Sequence, residues 1–339
     1  MSLIGAGRRI LVTGGAGYIG SHCCKAIAEA GFEPVCYDNL ATGHRSFVNW
    51  GPLVMGDILD EPSLVAALRK FEVHAVIHLA ASSLVGESVL RPDIYYRNNV
   101  VGTLTLLESM RKAGCSNIVF SSTGAVYGEI SGAPIREAQA GLAVNPYGRS
   151  KWMSEQIIRD HETAWGFKAV RLRYFNACGA DDSGLIGELR DPETHLIPRA
   201  LMAMQGHLEG FAIFGEDYDT PDGSAVRDYI HVNDLAAAHV RAIHALLENE
   251  ADIAGRAFNL GTGNGYSVKE VLRAIETETG SLPPTTVRDR RPGDPATLVA
   301  DASAANDALQ FRPRRSDLGT IIRSAWAWHQ KAHPRRDRP

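Results

Sequence analysis

The sequence predicts an α/β fold: a doubly wound parallel sheet followed by a smaller C-terminal α/β lobe. Three observations predict it. Short apolar runs alternate with longer segments of helical spacing through residue 173. The first apolar run ends directly in a glycine triplet. After residue 174 the alternation stops, and glycine, proline and acidic residues become frequent over residues 179–192.

The elements follow in order. Residues 10–13 (ILVT) form an apolar run ending in glycines, as a strand buried on both faces does. Helical spacing follows over residues 20–30, and residues 34–37 give a second strand that ends at Asp38. A third strand-like run precedes GDI at residues 56–58. Next come a helix near residues 62–70, a strand at 75–79, a long helix over 99–112 and a strand at 118–121. A helix over 146–165 and a strand at 169–173 complete the alternation, which implies parallel strands joined by right-handed crossovers. In the second half, residues 232–247 and 267–278 have helical spacing. No internal repeat is present.

Composition narrows the function classes. With 339 residues, 45% hydrophobic and 22% charged, the chain is globular. A net charge of −4 and a pI near 6.3 give no overall reason to bind nucleic acid or an anionic membrane. The Arg-rich end (Arg312, Arg314, Arg315, Arg335, Arg336, Arg338) reads as a solvated, partly frayed tail. No apolar run reaches the ~18 residues of a membrane span, and the N-terminus lacks a signal-peptide core. The five cysteines are odd in number and form no CxxC pair, which points to reduced, buried thiols in a cytoplasmic protein. The twelve histidines show no ligand spacing, so no metal is expected.

"TGGAGYIG" at residues 13–20 sets Gly14, Gly17 and Gly20 three apart, after a strand and at a helix start. The first glycine permits a tight turn, the second lets backbone approach a pyrophosphate, and the third lets helix and strand pack closely. The helix N-terminus then offers unpaired N–H groups to the phosphates. Asp38, at the end of the second strand, suits the adenosine ribose hydroxyls and repels a 2′-phosphate, favouring NAD over NADP. The sheet is therefore expected to be Rossmann-like. Asp57 suits either an adenine-side contact or the N-cap of the next helix.

"NPYGRSK" at residues 145–151 suits a helix start, with Asn145 as N-cap and Pro146 in the first position. Tyr147 and Lys151 then lie one turn apart on one face. A free phenol has a pKa of about 10, and lowering it by about three units needs roughly 4 kcal/mol of preference for phenolate. A nearby ammonium, the helix N-terminus and a nicotinamide ring are the expected sources. A YxxxK spacing alone is weak, since a surface pair gives the same pattern. "FSSTGAVYG" adds Ser121, Ser122 and Thr123 at the carboxyl end of a strand, where open α/β sheets bind ligands. Thr123 is the expected bridge between substrate and phenol, and Ser121 or Ser122 the expected core hydroxyls.

With these residues in place, the chain resembles the extended short-chain dehydrogenase/reductase superfamily, and within it the UDP-galactose 4-epimerases. The resemblance covers nearly the whole chain and runs in order through TGGAGYIGSH, YDNL, VGESV, YYRNNVVGT, SSTGAVYG, NPYGRSK, LRYFNACGA, DPETHLIP, DYDTPDGSAVRDYIHV and RRPGD. It implies a reaction without net redox change. Tyr147 takes the proton of the sugar 4-hydroxyl with help from Thr123, hydride passes to a retained NAD, the keto sugar turns over, and hydride returns to its other face. Lys151 holds the nicotinamide ribose and lowers the tyrosine pKa.

The resemblance implies a cofactor set of Gly14, Gly17, Tyr18, Ile19, Gly20, Asp38, Asn39, Asp57, Ile58, Leu79, Ala80, Ala81, Asn99, Tyr147, Lys151 and Phe175. It implies a substrate set of Thr123, Asn176, His195, Leu196, Phe214, Arg227, Arg291, Asp294 and Leu298. Arg227 and Arg291 would take the diphosphate, unless they form surface ion pairs with Asp228 or Asp294. The NAD-binding domain is expected over residues 1–176 and a UDP-sugar lobe over 177–339, with a possible crossing back to the sheet. A homodimer through the helices near residues 99–112 and 151–165 is also implied.

Three positions depart from the family pattern. Ser83 stands where many members have a cofactor-contacting lysine, so a phosphate contact is lost or replaced by backbone. His195 precedes Leu196 where some members place asparagine. Leu298 stands where strict hexose enzymes carry tyrosine, which leaves UDP-GlcNAc, or UDP-xylose and UDP-arabinose, as alternatives to UDP-glucose and UDP-galactose. A 4,6-dehydratase on this scaffold needs an Asp-Glu pair after the threonine, and Gly124 and Ala125 stand there instead. A non-catalytic NAD-binding sensor, the rival of another class, would have no need to keep Tyr147, Lys151 and Thr123 together.

Overall fold

The computed structural model describes residues 5, 7–130, 134–291 and 294–333. The first half supplies β1 (Arg9–Thr13), β2 (Glu33–Asp38), β3 (Leu53–Met55), β4 (Ala75–His78), β5 (Asn117–Thr123) and β6 (Lys168–Tyr174). The second half adds β7 (Asn176–Cys178), β8 (Phe211–Phe214), β9 (Val226–His231), β10 (Arg256–Leu260), β11 (Gly265–Ser267), β12 (Thr285–Arg288) and β13 (Thr297–Leu298). The large sheet is parallel throughout, in the order β10-β6-β5-β4-β1-β2-β3. This is a Rossmann-like doubly wound sheet, and the strand order reverses between β1 and β4. The crevice at the carboxyl ends of those two strands is where such sheets bind ligands.

Both faces of the sheet are covered, so its strands are apolar without alternation: Ile10, Leu11 and Val12 of β1 are all fully buried. Helices Tyr18–Glu29 and Val232–Leu247 cover one face through Cys23, Ile27, Leu235, Ala242 and Leu246. Helices Glu61–Lys70, Gly102–Ala113 and Pro146–Trp165 cover the other through Leu64, Leu68, Leu106, Met110 and Ile158. β6 breaks the apolar rule with Arg171 and Arg173, both buried. Arg171 pairs with Glu162, and Arg173 forks onto Glu155 with Nε at 2.9 Å and Nη2 at 2.6 Å, both partners coming from the helix Pro146–Trp165. A buried guanidinium is tolerated only when paired in this way.

Helix ends follow local chemistry. The Asn145 side chain accepts from Gly148 N at 2.8 Å, and Gly166 closes the same helix in the left-handed region at φ 67°. Ser267 and Glu270 form a capping box ahead of Val268–Thr279. The first helix begins at Tyr18, two residues earlier than spacing indicated. The expected helix over residues 99–112 is continuous with a π-helical turn, Tyr96–Val101, and is preceded by two short helices, Val85–Leu90 and Pro92–Tyr95.

The second half builds its own core from helices Leu196–Met204, Val268–Thr279 and Leu318–Ala332, with Ile197, Leu201, Ile213, Tyr229, Ile275 and Ile321 inside. β9 is flanked by β11 and β13 and also pairs with β7, while β8 and β12 form a separate pair. β10 returns to the large sheet beside β6. Part of the Arg-rich end is not a loose tail. Arg314 and Arg315 donate their backbone N–H groups to Asp234 at 3.0 and 2.8 Å, and the Arg315 guanidinium pairs with Asp182 at 2.5 Å. Arg335, Arg336 and Arg338 lie outside the described residues.

Candidate active site

The glycine turn fits a dinucleotide. Gly14 sits at φ 73°, and a Cβ there would meet Ala80 N at 2.7 Å. A Cβ on Gly20 would meet Gly14 O at 2.0 Å, so only glycine lets the helix approach this turn. A Cβ on Gly17 would meet only Gly14 O, at 3.3 Å, with open space beyond. Gly17 is the N-cap, and no side chain caps the helix that follows. The amides at Tyr18 and Ile19 therefore begin a helix whose positive end faces the crevice. The Tyr18 hydroxyl donates to Gly179 O at 2.6 Å, fixing this turn to the second half of the chain.

Asp38 is nearly buried at the end of β2, and its carboxylate accepts from Ala16 N at 3.0 Å and Leu40 N at 2.8 Å. Those bonds aim the group without exhausting its lone pairs. Asn39 donates to Asp57 at 2.9 Å. Asp57 does not cap the next helix: Asp60 does, accepting from Ser63 N at 3.2 Å. Asp57 is thereby left beside Asn39, at the ends of β2 and β3. Ile58 packs its side chain where a Cβ on Gly102 would stand. Leu79 and Ala80 adjoin the glycine turn, with Leu79 N donating to Thr13 O at 3.1 Å, and Ala81 follows. Beneath them His78 bridges Thr13 and Thr103 at 2.8 and 3.0 Å, and burial holds it neutral, at about 3.

Asn99 is committed to the protein. Its amide donates to Ser82 O and Ser150 Oγ, both at 2.9 Å, and accepts from Ser82 N at 2.8 Å. It clips the loop after β4 to the helix that carries Tyr147. Ser83 on that loop accepts from Arg190 Nη1 at 3.2 Å, so a cation from the second half stands where the chain has no lysine.

The carboxyl end of β5 separates three hydroxyls. Ser121 bonds the Tyr174 hydroxyl, and Ser122 donates to Glu155 at 2.5 Å, so both are used inside the fold. Thr123 accepts from Ala125 N at 3.1 Å, and its hydroxyl lowers the proton affinity of the Tyr147 phenol. Tyr147 is partly buried, and its ring meets Tyr95 edge-on with centroids 6.3 Å apart. Phe175 stacks on Tyr127 across the Thr123 turn.

Burial holds the Tyr147 phenol above its ordinary range, and the groups that pull it down are Thr123 and Arg190. Lys151 instead donates to Ser121 O at 2.9 Å and lies over Phe120, and burial pushes its ammonium down to about 7 against the pull of Glu155. Two desolvated groups on one helix face each favour the neutral form.

Substrate-side residues gather beyond this crevice. Arg291 lies over the Phe214 ring at 4.0 Å. Arg227 pairs with Asp294, not with Asp228. Asp228 is fully buried and accepts from Thr262 N, Gly263 N and Ala300 N at 2.9, 3.1 and 3.2 Å. Leu298 pairs in register with Arg227 and packs against the group containing Phe175. Asn176 opens β7 opposite Tyr229. His195 occupies the N-cap position of the helix that begins at Leu196 but turns its side chain away from the helix end, with Nδ1 2.5 Å from Glu188.

Glu188, Glu193 and His195 hold ligand-type atoms within 4.8 Å of one another. Their bonds are internal: Glu193 accepts from Thr194 N and His195 N at 2.7 and 2.8 Å. Burial pushes Glu188 up, but His195 and Arg190 outweigh it and hold it ionised.

Sequence reading missed Arg190, the Glu155–Arg173–Tyr127 network and Arg199, whose charge is close enough to oppose that of Arg291. None carries a spacing signal, although GELRDPETH does mark Arg190 as an unusual cation among acids.

Residues 10–261 match the family described as NAD dependent epimerase/dehydratase. The chain belongs to that family. It is 50% identical over 328 residues to a UDP-glucose 4-epimerase of Rhizobium leguminosarum bv. trifolii, covering 97% of this chain and 99% of the relative. It is 50% identical to a UDP-glucose 4-epimerase of Rhizobium meliloti, covering 95% and 97%. The crystal structure of UDP-glucose 4-epimerase from Brucella ovis in complex with NAD superposes with a TM-score of 0.91 at 51% identity, covering 94% and 98%. The family is NAD-dependent, and the Gly14 turn, the uncapped helix and Asp38 have a geometry that fits such a cofactor.

Proposed function

We propose that the protein interconverts UDP-glucose and UDP-galactose as an NAD-dependent UDP-glucose 4-epimerase. The observation that carries this is the helix of Tyr147 and Lys151 pinned to the carboxyl end of β5, where Thr123 stands, beside the glycine crevice. Relatives at 50% identity over nearly the full chain, each a UDP-glucose 4-epimerase by name, support hexose over the pentose and N-acetylated readings.

Bound NAD supplies the acceptor and donor of hydride, and its positive ring adds to the charge around the phenol. Gly14, Gly17, Gly20 and the amides at Tyr18 and Ile19 cradle its diphosphate, and Asp38 takes the adenosine ribose. Tyr147 removes the proton of the sugar 4-hydroxyl, holds it on the phenol oxygen, and returns it after the keto sugar has turned over. Thr123 orients that oxygen. Lys151, next on the same helix face, takes the nicotinamide-side ribose. Arg227 and Arg291 hold the substrate diphosphate, with Asp294 orienting the Arg227 guanidinium it pairs with, while Phe214, Asn176, His195, Leu196 and Leu298 line the sugar and base positions.

A homodimer is part of this reading. Val101 and Leu104 on one helix, and Met153 and Trp165 on its neighbour, are exposed apolar side chains on two packed helices. Leu104→Glu combined with Met153→Glu shifts a dimer to monomer by light scattering; an unchanged mass places the interface elsewhere. Five free, buried cysteines suit a cytoplasmic setting. Turnover of purified protein on UDP-galactose, with no nucleotide added and UDP-xylose and UDP-N-acetylglucosamine in parallel, tests the activity. Absence of turnover on UDP-galactose overturns it.

A further inference from the structure

Asn259 lies on β10, at the edge of the large sheet, and is fully buried. Both ends of its side chain are used. Its Oδ1 accepts from the Tyr127 hydroxyl, and its Nδ2 donates to Ile135 O at 2.8 Å and Asp301 O at 3.3 Å. The two ends lead to different side chains of the site. At one end, the Tyr127 ring stacks on Phe175 with centroids 6.3 Å apart, and a Cβ on Gly124, in the turn after Thr123, would meet that Phe175 ring at 3.3 Å. At the other end, Ile135 N donates to Val299 O and Asp301 N donates to Ile135 O, both at 2.8 Å, so the chain is gripped directly after Leu298. Phe175, Leu298, Tyr127 and Ile135 share one packed cluster, in which Tyr127 and Ile135 are fully buried and Phe175 and Leu298 half-buried. We propose that Asn259 is a positioning residue for sugar selectivity: from behind the wall it fixes Phe175 and Leu298 relative to each other, and so sets how much room that wall leaves the sugar. This rests on the reading of a UDP-sugar site with Phe175 on its cofactor side and Leu298 on its sugar side.

The neighbouring contacts hold the same parts in other directions. Leu298 pairs with Arg227 on β9, and Asp228 accepts from Ala300 N at 3.2 Å, which ties that strand to the small sheet. Arg173 Nη1 donates to the Tyr127 oxygen at 3.2 Å and to Glu137 O at 2.9 Å, which ties Tyr127 through Glu155 to the helix that carries Tyr147. The Asn259 amide joins the two groups. A carboxamide suits the place because it offers an acceptor and two donors in one rigid plane. Its backbone N also donates to the Glu137 carboxylate at 2.9 Å, so the amide cannot shift without breaking bonds on both sides. A buried network whose members are all engaged in this way is stiff, and the wall it backs is stiff with it.

The test compares UDP-glucose with UDP-N-acetylglucosamine, which carries an acetamido group in place of one hydroxyl, on NAD-bound enzyme. The ratio of the two kcat/KM values is measured, and the ratio of the two dissociation constants is measured by calorimetry in the Tyr147→Phe background. Tyr127→Phe removes one hydroxyl and keeps the stacked ring; it is expected to move the ratios about threefold toward the N-acetylated sugar, and Asn259→Ala about tenfold, with bound NAD unchanged. A role in folding alone would lower the melting temperature and weaken both sugars alike. Ratios unmoved by both measures, or a loss shared equally by the two sugars, overturn the proposal. Where Asn259→Ala does not fold, Tyr127→Phe decides. A parent that turns over neither sugar, but whose affinity ratio shifts in the variants, sinks the epimerase reading and upholds Asn259.

Discussion

Lys151 donates its ammonium to the Ser121 backbone carbonyl across 2.9 Å, and so holds the end of β5 although Tyr147 stands one turn away on its own helix. Ser121 in turn bonds Tyr174, and Ser122 bonds Glu155, the next residue along the same helix face. The strand end that presents Thr123 is therefore pinned from below by three side chains. Lys151 and Glu155 thus fix the strand end from the helix that also carries Tyr147.

Tyr147→Phe removes the oxygen that holds the proton and leaves the glycine turn untouched. Turnover on UDP-galactose is expected to fall at least ~100-fold, with NAD still bound. Activity near that of the parent would show that another group moves the proton.

Lys151 gives a pH-dependent stability. Its folded value of about 7 lies below the ordinary 10.5 that the unfolded chain keeps. Below about 7 both states hold the proton, and the folded state carries the whole cost of a buried charge. Between about 7 and 10.5 the unfolded chain binds more protons, so folding stability rises with pH. Lys151→Met is expected to melt above the parent at pH 6 in nucleotide-free protein, with the gap closing toward pH 10. A gap that stays constant across that range would mean the amine is not desolvated.

Asn99→Leu strands both backbone groups of Ser82 and the Ser150 hydroxyl. Unsatisfied buried groups of this kind suggest a loss of about 3 kcal/mol in urea unfolding and weaker NAD retention, because Ala80 and Ala81 lie on the freed loop. Equal NAD affinity in parent and variant would show that the loop is held by other contacts.

The thiols offer a check on the fold itself. Burial pushes Cys36 and Cys115 up to about 12 and raises Cys23, Cys24 and Cys178 well above the ordinary thiol range as well. Native protein at neutral pH is expected to expose no thiol to a disulfide reagent within minutes, and five after unfolding. One rapidly labelled cysteine in the native state would contradict the packing around helix Tyr18–Glu29 or β2.

Much of the site could be read from the chain because its signals are short. Gly14, Gly17 and Gly20 answer to backbone sterics within eight residues, and Asn145 and Pro146 to the satisfaction of one helix end. The parallel sheet followed from apolar runs buried on both faces. The helix start at residue 20 was placed two residues late because Gly17, a cap without a side chain, leaves no residue signal. Asp57 stays open in the sequence between an adenine-side contact and the helix cap because two acids, Asp57 and Asp60, precede the same helix, and turn geometry gives the cap to Asp60.

The sequence by itself determined the parallel sheet, the glycine turn with Asp38, and the helix that carries Tyr147 and Lys151, since each depends on residues close along the chain. Only the tertiary structure decided which distant groups meet at the crevice. Arg190 and Ser83 are 107 residues apart in sequence and 3.2 Å apart in space. Electrostatic work falls off with distance through the folded protein and has no period along the chain, so the partner of a charge is known only once the fold has brought it near.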